Sequence, residues 1–194
     1  MTAASNSDPV ETSPSGLAPG QRRPDSERRV LSPEAEAEIR ALAQRYPDPL
    51  AATLPALYVA QKDFGFVSLS AMRETARVLG IPESHIFGVA TFYTMFQKQP
   101  VGKYHIQVCT NVCCALNGAA QVLEKVVERT GAKPGDGPTP DGLFSVEEVE
   151  CLASCGSGPC VQVNYDAYED FVDEVGVDAI LDACRRGERK AWGE

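Results

Sequence analysis

The stretch YHIQVCTNVCCALNGAAQVLEKVVERTG, residues 104–131, decides the fold of this chain. Tyr104, Ile106 and Val108 alternate with His105 and Gln107, the two-residue period of a strand. From Gly118 to Arg129 the period lengthens: Val122, Leu123, Val126 and Val127 share one side of a helix, and Gly131 closes it. A strand that feeds a helix opens a β-α-β unit, so a parallel partner strand should follow by a right-handed crossover. Leu143–Cys151 is that partner, with its alternation interrupted at Glu147-Glu148. The connection KPGDGPTPDG at 133–142 consists of turn residues. Val161, Val163 and Tyr165 alternate again, Asn164 to Ala167 turn the chain, and a short strand is placed near Tyr168. Val177 to Arg186 reads as a last helix with Gly187 beyond it. The order is β-α-β-β-β-α, and the two closing strands form a hairpin.

Upstream, the pattern is helical from Ser32 to Phe96. Ser32-Pro33 is a hydroxyl cap ahead of a residue with preset φ. Ala35, Ile39, Leu42, Ala43 and Tyr46 then make one face, and Pro47 stops it. Asp48-Pro49 begins a second helix with Leu50, Leu54, Leu57, Tyr58 and Gln61 on its face. Pro55 inside that run predicts a kink or a later start. A third helix runs from about Leu69 to Leu79 and ends at Gly80. A fourth follows Pro82 and carries Ile86, Val89, Tyr93 and Phe96. Short amphipathic helices with short joints make a compact bundle. The fold class read from these patterns is α+β, an N-terminal helical bundle at 31–99 followed by an α/β domain at 100–194.

Residues 1–30 hold five Ser, four Pro, two Gly and no aromatic residue, with four basic and four acidic side chains. Such a stretch cannot bury enough apolar surface to offset its ordering entropy and reads as a disordered tail. The whole formal charge of −9 therefore belongs to residues 31–194. An acidic chain lacks the basic face that phosphates need, which argues against nucleic acid. No run of apolar residues is long enough to span a bilayer, so direct membrane insertion is not expected. The N-terminus has no basic-then-apolar signal pattern, and the expectation is a cytosolic chain.

The chemistry lies in seven cysteines, at 109, 113, 114, 151, 155, 160 and 184. In a cytosolic protein they point to metal or redox chemistry before disulfides. Cys109 follows the first strand and Cys151 ends the second, and parallel neighbours bring those ends side by side. Two local pairs thus converge, Cys109-x4-Cys114 and Cys151-x3-Cys155, and four thiolates on facing loops suit an iron–sulfur cluster. Structural zinc usually draws on tighter C-x2-C knuckles, which are absent, and the thioredoxin dithiol goes with them. A Rieske centre needs two histidines, but His85 and His105 lie outside the loops. The C-x4-C-x2-C run of plant ferredoxins fails at Leu116 and Asn117. Cys184, on the last helix, reads as a small buried hydrophobe, and so does Cys160.

VCTNVCCALNGA at 108–119 and VECLASCGSGPCVQVN at 149–164 resemble the E-subunit family of NADH–quinone oxidoreductase, respiratory complex I. IFGVATFYTMF at 86–96 and PDGLFSVEEVECL at 140–152 match the same family, and the resemblance covers roughly 33–188. It implies that the α/β domain is thioredoxin-like and binds one [2Fe–2S] cluster. The ligand set it implies is Cys109, Cys114, Cys151 and Cys155. Relatives usually carry a residue other than cysteine at the position of Cys113, and the C-x4-C spacing selects Cys114. The loop that holds both is read as extended, where consecutive side chains point in opposite directions.

A cluster without a nucleotide loop defines a role. Gly156-Ser157-Gly158 has Val161 where the dinucleotide fingerprint needs its third glycine, and no general base or nucleophile pair accompanies the cysteines. The chain is therefore expected to relay single electrons, with no catalytic residue of its own and no NADH oxidation in isolation. The resemblance places FMN and NADH on a partner flavoprotein subunit of the NADH dehydrogenase module. It also places the chain at the inner face of the cell membrane, peripherally, through that complex. A small diaphorase subunit of an NAD-linked hydrogenase or formate dehydrogenase is the nearest alternative. A non-catalytic zinc-binding or adaptor module is the alternative of a different class. Gly118, Gly156 and Gly158 permit close backbone approach to the cluster, with Gly158 read chiefly as a turn glycine before Pro159. The aromatic block Phe92, Tyr93 and Phe96 is read first as helix core, and the basic run Arg185, Arg186, Arg189 and Lys190 as a solvated helix end.

Overall fold

The computed structural model describes residues 29–194. The tail reading of 1–30 therefore falls outside the described residues except at Arg29 and Val30. Arg29 stacks its guanidinium over the Phe64 ring, 4.7 Å from the centroid, and reaches the Asp63 carboxylate at 4.0 Å.

The bundle begins with α1, Pro33–Ala43, capped by Ser32, whose hydroxyl accepts the Ala35 N–H at 3.2 Å. A 3-10 turn, Pro49–Ala52, leads into α2, Thr53–Phe64. Pro55 accordingly sits in the first turn, where its missing N–H leaves no bond unmade. The third helix, α3, spans Leu69–Leu79 and ends at Gly80 with φ +68°. The fourth, α4, spans Glu83–Phe92. Two expectations shift here. Tyr46 lies beyond α1 and is exposed, because tight turns after Ala43 end the helix early. Tyr93 and Phe96 lie beyond α4: Phe96 is fully buried, edge-on to Tyr58 at 5.2 Å, whereas Phe92 is 77% exposed. The aromatic block is thus divided between core and surface.

Past Pro100 the chain forms β1 (Tyr104–Cys109), α5 (Val112–Leu116), α6 (Ala119–Thr130), β2 (Phe144–Val149), β3 (Val161–Val163), β4 (Ala167–Glu169) and α7 (Glu174–Arg185). The sheet order is β2-β1-β3-β4. The first two strands run parallel, with Tyr104 opposite Phe144 and Cys109 opposite Val149, and the remaining pairs are antiparallel. This is the crossover followed by a hairpin that the periodicity implied. Glu148 interrupts the alternation because β2 is an edge strand and its far end opens to solvent.

Buried apolar side chains form two main clusters, one from Leu31 to Phe96 and one from Tyr104 to Cys184. In the second, Tyr104, Ile106, Val108, Val146, Val161 and Val163 face Val122 and Val126 of α6 and Ile180 and Leu181 of α7. The other face of the sheet is polar and still buried. His105 meets the Ser145 hydroxyl at 2.8 Å and the Glu147 carboxylate at 2.9 Å, and Gln107 donates to Glu147 at 2.8 Å. Burial pushes the Glu147 carboxyl up, but the hydrogen bonds from His105 and Gln107 outweigh it and hold the group low. The bundle's last segment and the C-terminus close over this face. Gln97 donates to the Tyr165 hydroxyl at 2.9 Å, and the Trp192 ring lies 5.8 Å from His105 and 5.6 Å from Tyr165. Trp192 also donates its ring N–H to Gly65 O at 2.7 Å, joining the sheet to the bundle.

The basic run at the C-terminus is paired within the chain. Arg185 meets Asp182 at 2.9 Å, Arg186 meets Glu188 at 2.6 Å, Arg189 meets Glu169 at 2.5 Å and Lys190 meets Asp166 at 3.2 Å.

Candidate metal centre

The site is built where β1 and β2 end. The ladder continues one step past the strands: the Thr110 N–H donates to Val149 O at 3.0 Å, and the Cys109 N–H donates to Cys160 O at 3.1 Å. The segment 150–151 is therefore held beside 109–110, and the Cys109 sulfur lies 3.8 Å from Glu150 O. Parallel pairing has brought the two cysteine segments together.

Asn111 then caps α5, its side chain accepting the Val112 N–H at 2.8 Å. This corrects the reading of the loop as extended, because Cys113 and Cys114 stand on a short helix. Consecutive helical residues project roughly 100° apart, so the two thiols diverge without being opposed. Cys114 turns inward, buried beside Cys109, Ala119 and Cys160, while Cys113 is half-buried on the side toward Cys155. The structure explains the inward room at Cys114. A Cβ on Gly158 would lie 3.0 Å from the Cys114 sulfur and 3.3 Å from its Cα. Gly158 is thus a packing glycine against a candidate ligand, which corrects its reading as chiefly a turn residue. Gly156 has no atom within 4 Å of such a Cβ, so no close approach requires it. Gly118 takes φ +97° to open α6.

The second loop is held from two sides. Ala153 takes the left-handed φ of +62°, unusual for a side chain with a Cβ, and its N–H donates to the Cys151 sulfur at 3.2 Å. Cys155–Ser157 forms a 3-10 turn. Ser154 and Ser157 donate their hydroxyls to Asp170 at 2.6 and 2.8 Å, and the Phe171 N–H donates to Ser157 O at 2.7 Å. Those hydroxyls hold the Asp170 carboxyl below its ordinary range. Sequence reasoning did not single out Asp170; the paired serines of the cysteine loop were the available signal.

Cys114 has Cys109 as a neighbour, and Cys155 has both Cys113 and Cys151. Burial raises the Cys114 thiol, the neighbouring Cys109 raises it further, and the Cys160 backbone N–H works the other way. The charge of Cys113, then that of Cys151, raises Cys155. Clustered thiols resist ionising together unless a cation shares the site, and iron or zinc reverses that balance. Sulfurs in pairs, one of them accepting the Ala153 N–H, fit a binuclear iron–sulfur centre. Cys160 is fully buried, its thiol pushed up to about 11 by burial, and Cys184 is buried on the inner side of α7, likewise raised to about 11. His85 and His105 are not brought to the thiols.

A thioredoxin-like sheet whose parallel strand ends carry cysteine pairs defines a class of iron–sulfur carrier. The chain belongs to the thioredoxin-like [2Fe–2S] ferredoxin family, whose sequence profile matches residues 39–185, and a [2Fe–2S] cluster is its cofactor. Among similar proteins, the second NADH-quinone oxidoreductase E-subunit of Rhizobium meliloti is 40% identical over 152 residues, covering 78% of this chain and 89% of that one. The NADH-quinone oxidoreductase subunit 2 of Thermus thermophilus is 41% identical over 139 residues, covering 72% and 76%. The fold recurs in an NAD+-reducing [NiFe]-hydrogenase crystallised in the H2-reduced state. That match has a TM-score of 0.58 at 23% identity and covers 69% of this chain and 22% of the hydrogenase chain.

Proposed function

We propose that this chain is the electron-carrying subunit of an NADH-quinone oxidoreductase, with its cluster held by Cys109, Cys114, Cys151 and Cys155. The observation that carries the reading is the register of β1 and β2, which sets the segment 150–151 beside Cys109. When bound, the [2Fe–2S] cluster supplies a centre that accepts and returns one electron at a time. Cys109 and Cys114 form the buried side of the site, where water is excluded; Cys151 and Cys155 are exposed and form the side toward a partner. The Ala153 N–H at Cys151 offsets negative charge on sulfur, which an added electron increases.

The partner is the flavoprotein subunit that binds FMN and NADH, and it converts a hydride into single electrons. No helix among the described residues is long and apolar enough to cross a membrane. The proposed location is cytoplasmic, at the inner face of the cell membrane through the complex.

Paired variants test the ligand set. Cys114→Ala loses most of the cluster, by iron content and by the EPR signal of the reduced protein, whereas Cys113→Ala keeps both. Retention by Cys114→Ala together with loss by Cys113→Ala would place the ligand one residue earlier and overturn the assignment.

A further inference from the structure

Beside the four proposed ligands the site holds two further thiols, Cys113 and the fully buried Cys160. Cys113 stands on α5, which packs against the 3-10 turn that Cys155 opens, and Cys113 is the neighbour whose charge most raises the Cys155 thiol. Other partners for Cys113 are poorly placed. Cys114 is its neighbour on a helical turn, where a bridge between adjacent residues would break the helix. The Cys109 and Cys160 thiols are buried beneath α5. The Cys151 sulfur is engaged by its own loop, accepting the Ala153 N–H at 3.2 Å. Cys155 is exposed and Cys113 half-exposed, so a small oxidant reaches both.

We propose that Cys113 and Cys155 form a reversible disulfide in the chain before its cluster is built, closing the site to iron. The oxidant is of the hydroperoxide class. Two thiols and one hydrogen peroxide give one S–S bond and two waters: both S–H bonds break, each sulfur gives up one electron, and the peroxide O–O bond takes the pair. A dithiol reductant reverses the step by thiol–disulfide exchange, returning both protons to sulfur and becoming a disulfide itself. The consequence rests on the ligand reading above, because the bridge removes Cys155 from the ligand set while leaving Cys109, Cys114 and Cys151 free. It also shields Cys155 from irreversible over-oxidation.

The full chain, stripped of iron under reducing conditions, is treated with one equivalent of hydrogen peroxide. It is then denatured and alkylated. The wild-type chain is expected to lose two of its seven alkylatable thiols, and Cys113→Ala to lose none. Oxidised wild-type protein then takes up iron and sulfide at least several-fold less than its dithiothreitol-treated half, while Cys113→Ala takes up both equally with or without dithiothreitol. Loss of two thiols from Cys113→Ala, or of none from wild type, overturns the bridge. A bridge that forms yet leaves iron uptake unchanged overturns the closing role and puts the fault in Cys155 as a ligand, which separates the two failures.

Discussion

Adding one methyl group at Gly158 measures how tightly the fold is built around Cys114. In Gly158→Ala the new Cβ would lie 3.0 Å from the Cys114 sulfur and 3.3 Å from its Cα. Ordinary contacts lie near 3.5–4.0 Å, so α5 must retreat by about half an ångström. Overpacking of this kind costs about 1–3 kcal/mol. Gly158 has φ −70° and ψ 156°, which alanine adopts freely, so the substitution also gains about 0.4–1 kcal/mol by restricting the unfolded chain. The net expectation is a loss of about 1–2 kcal/mol, or roughly 2–8 °C in melting temperature for a chain of this size. Metal–ligand distances tolerate only about 0.2 Å, so the cluster should weaken more than the fold does. Gly156→Ala is the control in the same loop. Its Cβ meets nothing within 4 Å, and its expected effect is neutral to slightly stabilising, with full iron content. Melting curves and iron analysis of both variants decide the matter. A Gly158→Ala protein with wild-type stability and iron content would refute the argument that Cys114 is packed against this backbone.

Other outcomes follow from the same geometry. Trp192→Phe keeps a ring against His105 and Tyr165 but loses the bond to Gly65 O, and denaturant titration should show a loss of about 1 kcal/mol. Hydrogen bonds from Arg77 and Arg40 lower Glu36 from 4.5 to about 2. A depressed carboxylate contributes its stability above its unfolded value and loses it as pH falls toward the folded one. Glu36→Gln should therefore be less stable than wild type at neutral pH, with the gap in urea midpoint closing between pH 4.5 and about 2. The isolated chain should show no bleaching of its visible spectrum on addition of NADH, and should bleach once the flavoprotein partner is added.

Much of this was legible in local pattern. The alternation of Tyr104, Ile106 and Val108 placed Cys109 at a strand end, and the β-α-β order set Cys151 beside it. Three features were not legible, each for a physical reason. The short helix α5 has no room for periodicity: VCCAL is barely more than one turn, and its cap at Asn111 decides it. The polar face of the sheet read only as the other half of an alternation. That His105 and Gln107 are buried follows from the bundle's last segment and Trp192 folding over them, a contact distant in sequence. Gly158 carries a meaning that depends on Cys114 arriving from another element, which no local turn signal contains. The aromatic block divided for a similar reason, since α4 stops at Phe92 and Phe96 enters the core from the loop beyond.

The central claim is that this chain holds a [2Fe–2S] cluster on two pairs of cysteines contributed by adjacent strand ends. Its most direct measurement is iron and acid-labile sulfide analysis of the anaerobically purified chain, with EPR of the dithionite-reduced sample. The account predicts a brown protein with equal amounts of iron and sulfide and a signal from one reduced binuclear centre. A colourless protein containing zinc and no labile sulfide would contradict it.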